Sequence, residues 1–279
     1  MKKTKKKIIA FIIILIIIAC INLACDVSRD KLLDKQWYLK NSGNVSAISN
    51  SNDYKEYIDM EKGVDIDYQH LQKFLKDKRL PNEVRIAIFD TGVDFSHSAL
   101  VNTKWIPSDI KDDRNYCGNF IIEETTGEVV PATKNDINNP HGTFCAGIIV
   151  AKDKSNGFTG IASMAEIKII SVNILGDYQD EKSRGVEDLI SAIRFAEANS
   201  AKVCNISLST DMYSQELEEI IRNSNMLFVI SAGNSGTLGV SIDKKPLYPA
   251  ALNLPNTITV ANLAYNGKLN RHSNFGKYN

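Results

Sequence analysis

Two hydrophobic regimes divide the chain. From Ile8 to Ile21 the sequence is one unbroken apolar run of fourteen residues, preceded by five lysines among the first seven positions. Residues 26–80 are polar and mixed, with little periodicity, and predict surface-wrapping segments with one short helix over 67–74. From Val84 onward, short β-rich apolar runs recur at 84–89, 167–172, 201–208, 226–232 and 257–263. Helical patterns lie between them. Residues 142–151 are small and apolar, Val186, Leu189, Ile190 and Ile193 follow the i, i+3, i+4, i+7 spacing of one helix face, and 216–221 is a third candidate. Near-continuous apolar strands alternating with helices predict an α/β fold: a doubly wound, mostly parallel sheet with helices on both faces. In such sheets functional groups collect at the carboxyl ends of the strands.

The lysine cluster followed by the apolar run predicts an export segment over residues 1–25, with 26–35 as a linker. Counted through Cys25 the stretch has eighteen residues, close to the lower limit for a membrane span. A cleaved signal, an uncleaved anchor and a lipoprotein signal therefore remain open. Ile17-Ile18-Ala19-Cys20 has the form of a bacterial lipoprotein box, which makes Cys20 the candidate lipidation site. The expected location is extracytoplasmic, membrane-anchored or lipoprotein, with secretion as the alternative.

The 279 residues carry 33 Lys+Arg and 33 Asp+Glu, a formal net charge of zero. Without the five leading lysines, residues 8–279 hold 28 basic residues against 33 acidic ones. A nucleic-acid partner is not expected from that balance. Cys117, Cys145 and Cys204, the cysteines outside the export segment, form no CxxC pair, so neither a zinc framework nor a disulfide framework follows from spacing.

Three motifs could carry chemistry. Asp90-Thr91-Gly92 ends the first apolar strand, where a carboxylate is held between a strand and a glycine turn. Taken alone it is an ordinary turn, and a pair of such carboxylates in a homodimer would suit an aspartic protease. Asn139-Pro140-His141-Gly142-Thr143 places a histidine at a helix start, followed by small residues that permit close packing. With Asp90 upstream, His141 has the carboxylate partner that fixes a general base's tautomer. Ser231-Ala232-Gly233-Asn234 follows another strand, and an exposed asparagine amide can donate to a developing oxyanion.

The order of these motifs, DTG then HGTxCAG then SAGN, resembles the subtilisin-like serine proteases, or subtilases. The resemblance extends from Gln36-Trp37-Tyr38-Leu39 through Gly160-Ile161-Ala162-Ser163, Asn205-Ile206-Ser207-Leu208-Ser209 and Tyr248-Pro249-Ala250 to Ser273-Asn274-Phe275-Gly276, so residues 36–279 form the expected peptidase domain. It implies Asp90 as the orienting acid, His141 as the base and Asn234 as the oxyanion donor. Ser207, Leu208, Ser209, Ala232 and Gly233 would bind substrate backbone and line the specificity pocket. Cys145 matches a cysteine found beside the histidine in some subtilases, which implies sensitivity to thiol reagents.

The family's nucleophile lies in a Gly-Thr-Ser block about 65 residues beyond the oxyanion asparagine. Only 45 residues follow Asn234, and none forms that block. The expectation is a C-terminally incomplete peptidase domain, inactive alone, with exposed core surface. Ser235 fails as a substitute because Thr237 breaks the Gly-x-Ser-x-Gly pattern. No cofactor is implied with certainty. Several family members bind calcium, yet His97-Ser98-Ala99-Leu100 lacks the expected aspartate and no ligand positions are identified, so no metal residue is named. The implied partners are a peptide or protein substrate and, through the N-terminal segment, a membrane. A catalytically dead peptide-binding or regulatory module is the alternative reading.

Overall fold

The computed structural model describes residues 36–43, 60–110, 116–132, 139–153, 157–175 and 185–277. The export segment with Cys20 and the linker over 26–35 lie outside the described residues. Among the described residues no helix is long and apolar enough to cross a membrane.

A seven-stranded sheet organises the chain. Its strands are β1 (Val84–Asp90), β2 (Asn119–Ile122), β3 (Val129–Pro131), β6 (Ile167–Asn173), β7 (Val203–Ile206), β8 (Leu227–Ser231) and β9 (Thr257–Val260), in the order β3-β2-β6-β1-β7-β8-β9. All neighbouring pairs are parallel except β2 with β3, which forms an antiparallel edge. A separate two-stranded ribbon pairs β4 (Lys152–Asp153) with β5 (Phe158–Thr159).

Among the described residues four helices accompany the sheet: α1 (Tyr68–Leu75), α2 (His141–Val150), α3 (Val186–Ala198) and α4 (Gln215–Asn223). The central strand β1 shows why both faces must be covered. Ile86 and Ile88 point to one side, where they join Leu100, Ile169 and, from α2, Ala146 and Val150. Ala87 and Phe89 point to the other, where they join Phe120, Val172 and, from α3, Leu189, Ile190 and Ile193. Burial on both faces explains the continuous apolar character of β1.

Helix termini follow local chemistry. Ser214 caps α4 by accepting a hydrogen bond from Leu217 N at 3.2 Å, and α3 begins with Glu187 and Asp188, whose charges suit a helix N-terminus. The sequence pattern located β1, β6, β8, β9 and all four helices to within a few residues. It extended the strands at 201–208 and 257–263 too far, because β7 leaves the ladder after Ile206, the last residue paired with β8, and β9 ends at Val260. It missed β2 and β3, which have four and three residues and too little length for a periodic signal.

Candidate active site

Parallel pairing brings the strand ends into register. Asp90 closes β1 opposite Asn173 of β6, Phe89 stands beside Ile206 of β7, and Ile206 beside Ile230 of β8. The segments after β1, β7 and β8 carry the Asp90, Ser207–Ser209 and Asn234 motifs, and the helix start that carries His141 packs against the Asp90 turn.

Asp90 is fully buried, and its two carboxylate oxygens lie 2.7 and 2.9 Å from Nδ1 of His141. A carboxylate only accepts, so Nδ1 carries the ring proton and Nε2 is left as an acceptor. The carboxylate also accepts from Thr91 N at 2.8 Å, and His141 itself is about half exposed, with side-chain exposure of 48%. With Thr91 N and the imidazole fixed against it, the buried carboxylate is held in one orientation.

The approach of α2 to the Asp90 turn is built by small groups. The Thr91 hydroxyl accepts from Gly142 N at 3.0 Å and donates to Asn139 O at 2.9 Å, while Thr143 Oγ1 accepts from Asp94 N at 2.9 Å. A side chain at Gly142 would collide with the Gly92 carbonyl. Glycine at that position is what lets the helix start press against the turn. From below, Asn119 Oδ1 accepts from Val93 N at 2.8 Å and from Ser171 Oγ at 2.7 Å, and its Nδ2 donates to Val93 O at 2.9 Å.

Cys145, one turn along α2, has Sγ 3.7 Å from Asp90 Oδ2, 4.0 Å from His141 Nδ1 and 3.7 Å from Ser207 Oγ. Burial, and then the Asp90 charge, push its thiol up to about 11. Burial alone raises Cys204 well above the usual thiol range.

After β8 the chain turns through Ala232, Gly233 and Asn234. Gly233 has φ +88°, a conformation L side chains rarely adopt, and a Cβ there would lie 2.7 Å from Asn274 Nδ2. Asn274 is fully buried and staples this turn. Its backbone N donates to Gly233 O at 2.9 Å, its Nδ2 to Ala232 O at 3.0 Å, and its Oδ1 accepts from Ser235 N at 3.1 Å and Val240 N at 3.0 Å. Asn234 itself is exposed, with no hydrogen bond to its amide among the described residues.

These pieces meet in a groove of about 690 Å³ lined by His141, Ser207, Leu208, Ser209, Gly233 and Asn234, together with Asn262, Asn270, His272 and Ser273. Ala232 is buried beneath the groove rather than lining it. An adjoining cavity of about 510 Å³ shares Leu208 and Ser209 and reaches Ser235. Sequence reasoning missed Asn119, Asn262, Asn270 and His272, and treated Asn274 as a landmark without a role. The adjacent Ser273-Asn274 motif was the available signal for the last group.

The chain belongs to the subtilase family: the family model for peptidase S8 matches residues 81–279. It is 29% identical over 197 residues to the major intracellular serine protease of Bacillus subtilis (strain 168), covering 70% of this chain and 55% of that protein. It is also 29% identical over 224 residues to the cell wall-associated protease of the same organism, covering 79% of this chain and 21% of that one. The chain thus spans about half the length, or less, of these curated relatives. Among solved structures, the prenylagaramide maturation protease PagA matches with a TM-score of 0.52 at 24% identity, over 75% of this chain and 64% of that one. The S41 psychrophilic protease matches with a TM-score of 0.51 at 24% identity, over 73% and 64%. These structures bear on the fold alone, and they share the α/β architecture described above.

Proposed function

We propose that this chain carries the acid–base and substrate-binding part of a serine-type endopeptidase that hydrolyses peptide bonds outside the cytoplasm. The observation that supports this reading most is the buried Asp90 carboxylate bonded to Nδ1 of the half-exposed His141 at 2.7 Å, at the wall of a groove that also holds Asn234.

On this reading His141 Nε2 takes the proton of an attacking serine hydroxyl and returns it to the leaving amine, while Asp90 stabilises the imidazolium. Asn234 donates to the oxyanion of the tetrahedral intermediate. Ser207 to Ser209 and Gly233 hold the substrate backbone in the groove, and Ala232 supports that wall from beneath. The hydroxyl belongs to a Gly-Thr-Ser block, which the 279 residues do not contain, so the chain alone does not turn over peptide. The five-lysine, apolar N-terminus supports export with membrane attachment through an anchor or a lipid on Cys20.

A fluorophosphonate probe applied to the protein isolated from its producing cells tests this. Covalent labelling, abolished by His141→Ala, is the expected result, and the recombinant 279-residue chain stays unlabelled. The groove lined by His141, Ser207 to Ser209, Gly233 and Asn234 supports one second reading, a peptide-capturing module without catalysis. That reading holds if the native protein is folded, binds extended peptides and takes no label. Fractionation of cells with and without Cys20→Ser tests the attachment separately.

A further inference from the structure

Three side chains of different ligand type converge beside the imidazole. One oxygen of Asp90, Nδ1 of His141 and Sγ of Cys145 all lie within 4.8 Å of one another. Taken through Oδ2, the individual separations are 2.9 Å for Nδ1 to Oδ2, 3.7 Å for Sγ to Oδ2 and 4.0 Å for Sγ to Nδ1. A tetrahedral zinc site with ordinary bond lengths spaces its nitrogen and oxygen ligands about 3.3 Å apart, and sulfur about 3.6 Å from either. The observed distances bracket those values, so small side-chain rotations suffice.

The scaffold favours the same conclusion. His141 and Cys145 stand at i and i+4 on α2 and project from one helix face, while Asp90 comes from the end of the central strand. Exposure is graded from the buried carboxylate through the half-buried thiol to the open imidazole, which gives an ion a path in from the groove. The geometry points to a binding site for a borderline-soft divalent cation, zinc or cadmium, held by Asp90, His141 and Cys145 with the remaining position open to water. Thiolate and imidazole select against calcium and magnesium, which take oxygen ligands.

On binding, the thiol proton leaves to solvent and the ring proton moves to Nε2, where the metal has replaced the N–H at Nδ1. A metal held this way and proton acceptance at Nε2 are mutually exclusive. The site would therefore act as a metal-operated off-switch for the base. Binding itself does not rest on the proposed hydrolysis, because all three ligands are within the 279 residues.

The test is titration of the folded 279-residue chain with cadmium chloride, following the ultraviolet thiolate-to-cadmium charge-transfer band, with zinc chloride as competitor. One equivalent is expected to bind. Cys145→Ser removes the band, whereas Cys117→Ser and Cys204→Ser keep it, and His141→Gln and Asp90→Asn each weaken affinity by roughly tenfold or more. In histidine ring spectra of the unaltered chain, the His141 signals shift with zinc while those of His70, His97 and His272 do not, a readout that stands even if a variant fails to fold. The inference is overturned if Cys145→Ser binds cadmium as the unaltered chain does, if affinity is unchanged in both His141→Gln and Asp90→Asn, or if the His141 signals stay fixed.

Discussion

Cys145 Sγ on α2 lies 3.7 Å from Ser207 Oγ, which itself accepts a hydrogen bond from Asn205 Nδ2 at 2.9 Å. The helix that carries His141 therefore touches the Ser207–Ser209 segment where the chain leaves β7. The base and the proposed substrate edge are held against each other through a thiol that burial and the Asp90 charge keep protonated.

That thiol gives a pH prediction. With its ionisation pushed up to about 11 from an ordinary value of 9.0, Cys145 in the folded chain reacts with iodoacetamide about a hundredfold more slowly than an unstructured cysteine near pH 8. The rate rises about tenfold per pH unit until close to 11. Raising the folded value above the unfolded one also means that this group's contribution to stability is present below pH 9 and is lost as pH climbs through 11. Mass-spectrometric labelling of Cys145 across pH checks the rate, and a plateau near pH 9 contradicts it.

Two glycines of α2 separate a packing role from a helix-propensity cost. A methyl at Gly142 meets the Gly92 carbonyl, whereas one at Gly147 has only Phe158 Cε1 at 4.0 Å. Gly142→Ala is expected to destabilise by about 1–3 kcal/mol or more, because backbone rather than a side chain must yield. Gly147→Ala is expected to stabilise by about 0.5–1 kcal/mol through helix entropy. Chemical denaturation of the two variants beside the unaltered chain measures both signs.

The readable parts of the chain were those where one interaction repeats. β1 and β6 are buried on both faces over most of their length, so successive positions report the same environment, and the Asp90 and His141 motifs combine a strand end or helix start with a glycine whose absence of a side chain is required. Asn119 and Asn274 are different. Each is a single asparagine, and the work of each is a set of hydrogen bonds to residues far along the chain, 26 and 52 positions away for Asn119 and 34–42 for Asn274. No local pattern encodes such partners. The strand at 201–208 was read too long because Leu208 is apolar for a groove wall rather than for a ladder.

Asn274 itself is testable. Removing its amide leaves Ala232 O, Ser235 N and Val240 N without that partner in a buried setting. Asn274→Ala should cost about 2–4 kcal/mol, several lost bonds at about 1 kcal/mol each plus desolvation. Asn274→Asp should not rescue it, since a carboxylate cannot donate to Ala232 O. Hydrogen exchange in peptides spanning 232–240 is expected to accelerate in both variants ahead of the rest of the sheet, and uniform acceleration would count against a local staple.

The last prediction concerns surface. The α2 sequence is apolar all round, a pattern that belongs to a helix covered on every side, yet Phe144 is 65% exposed and Ile148, one turn on, 42%. Alternate positions of the edge strand β9, Ile258 and Val260, are 50% and 48% exposed, and Leu227 of β8 is open as well. Exposed apolar groups of this number favour self-association, and among the described residues β9 pairs with a strand on one side only, which adds to it. The purified chain is expected to bind a hydrophobic dye and to associate as concentration rises. Phe144→Gln combined with Ile258→Thr should lower dye binding and raise the concentration at which association begins, while the denaturation midpoint moves little, because neither side chain contributes much buried area. Light scattering and sedimentation follow the first two quantities. A large fall in midpoint would show that these side chains are covered in solution and that the open face does not persist.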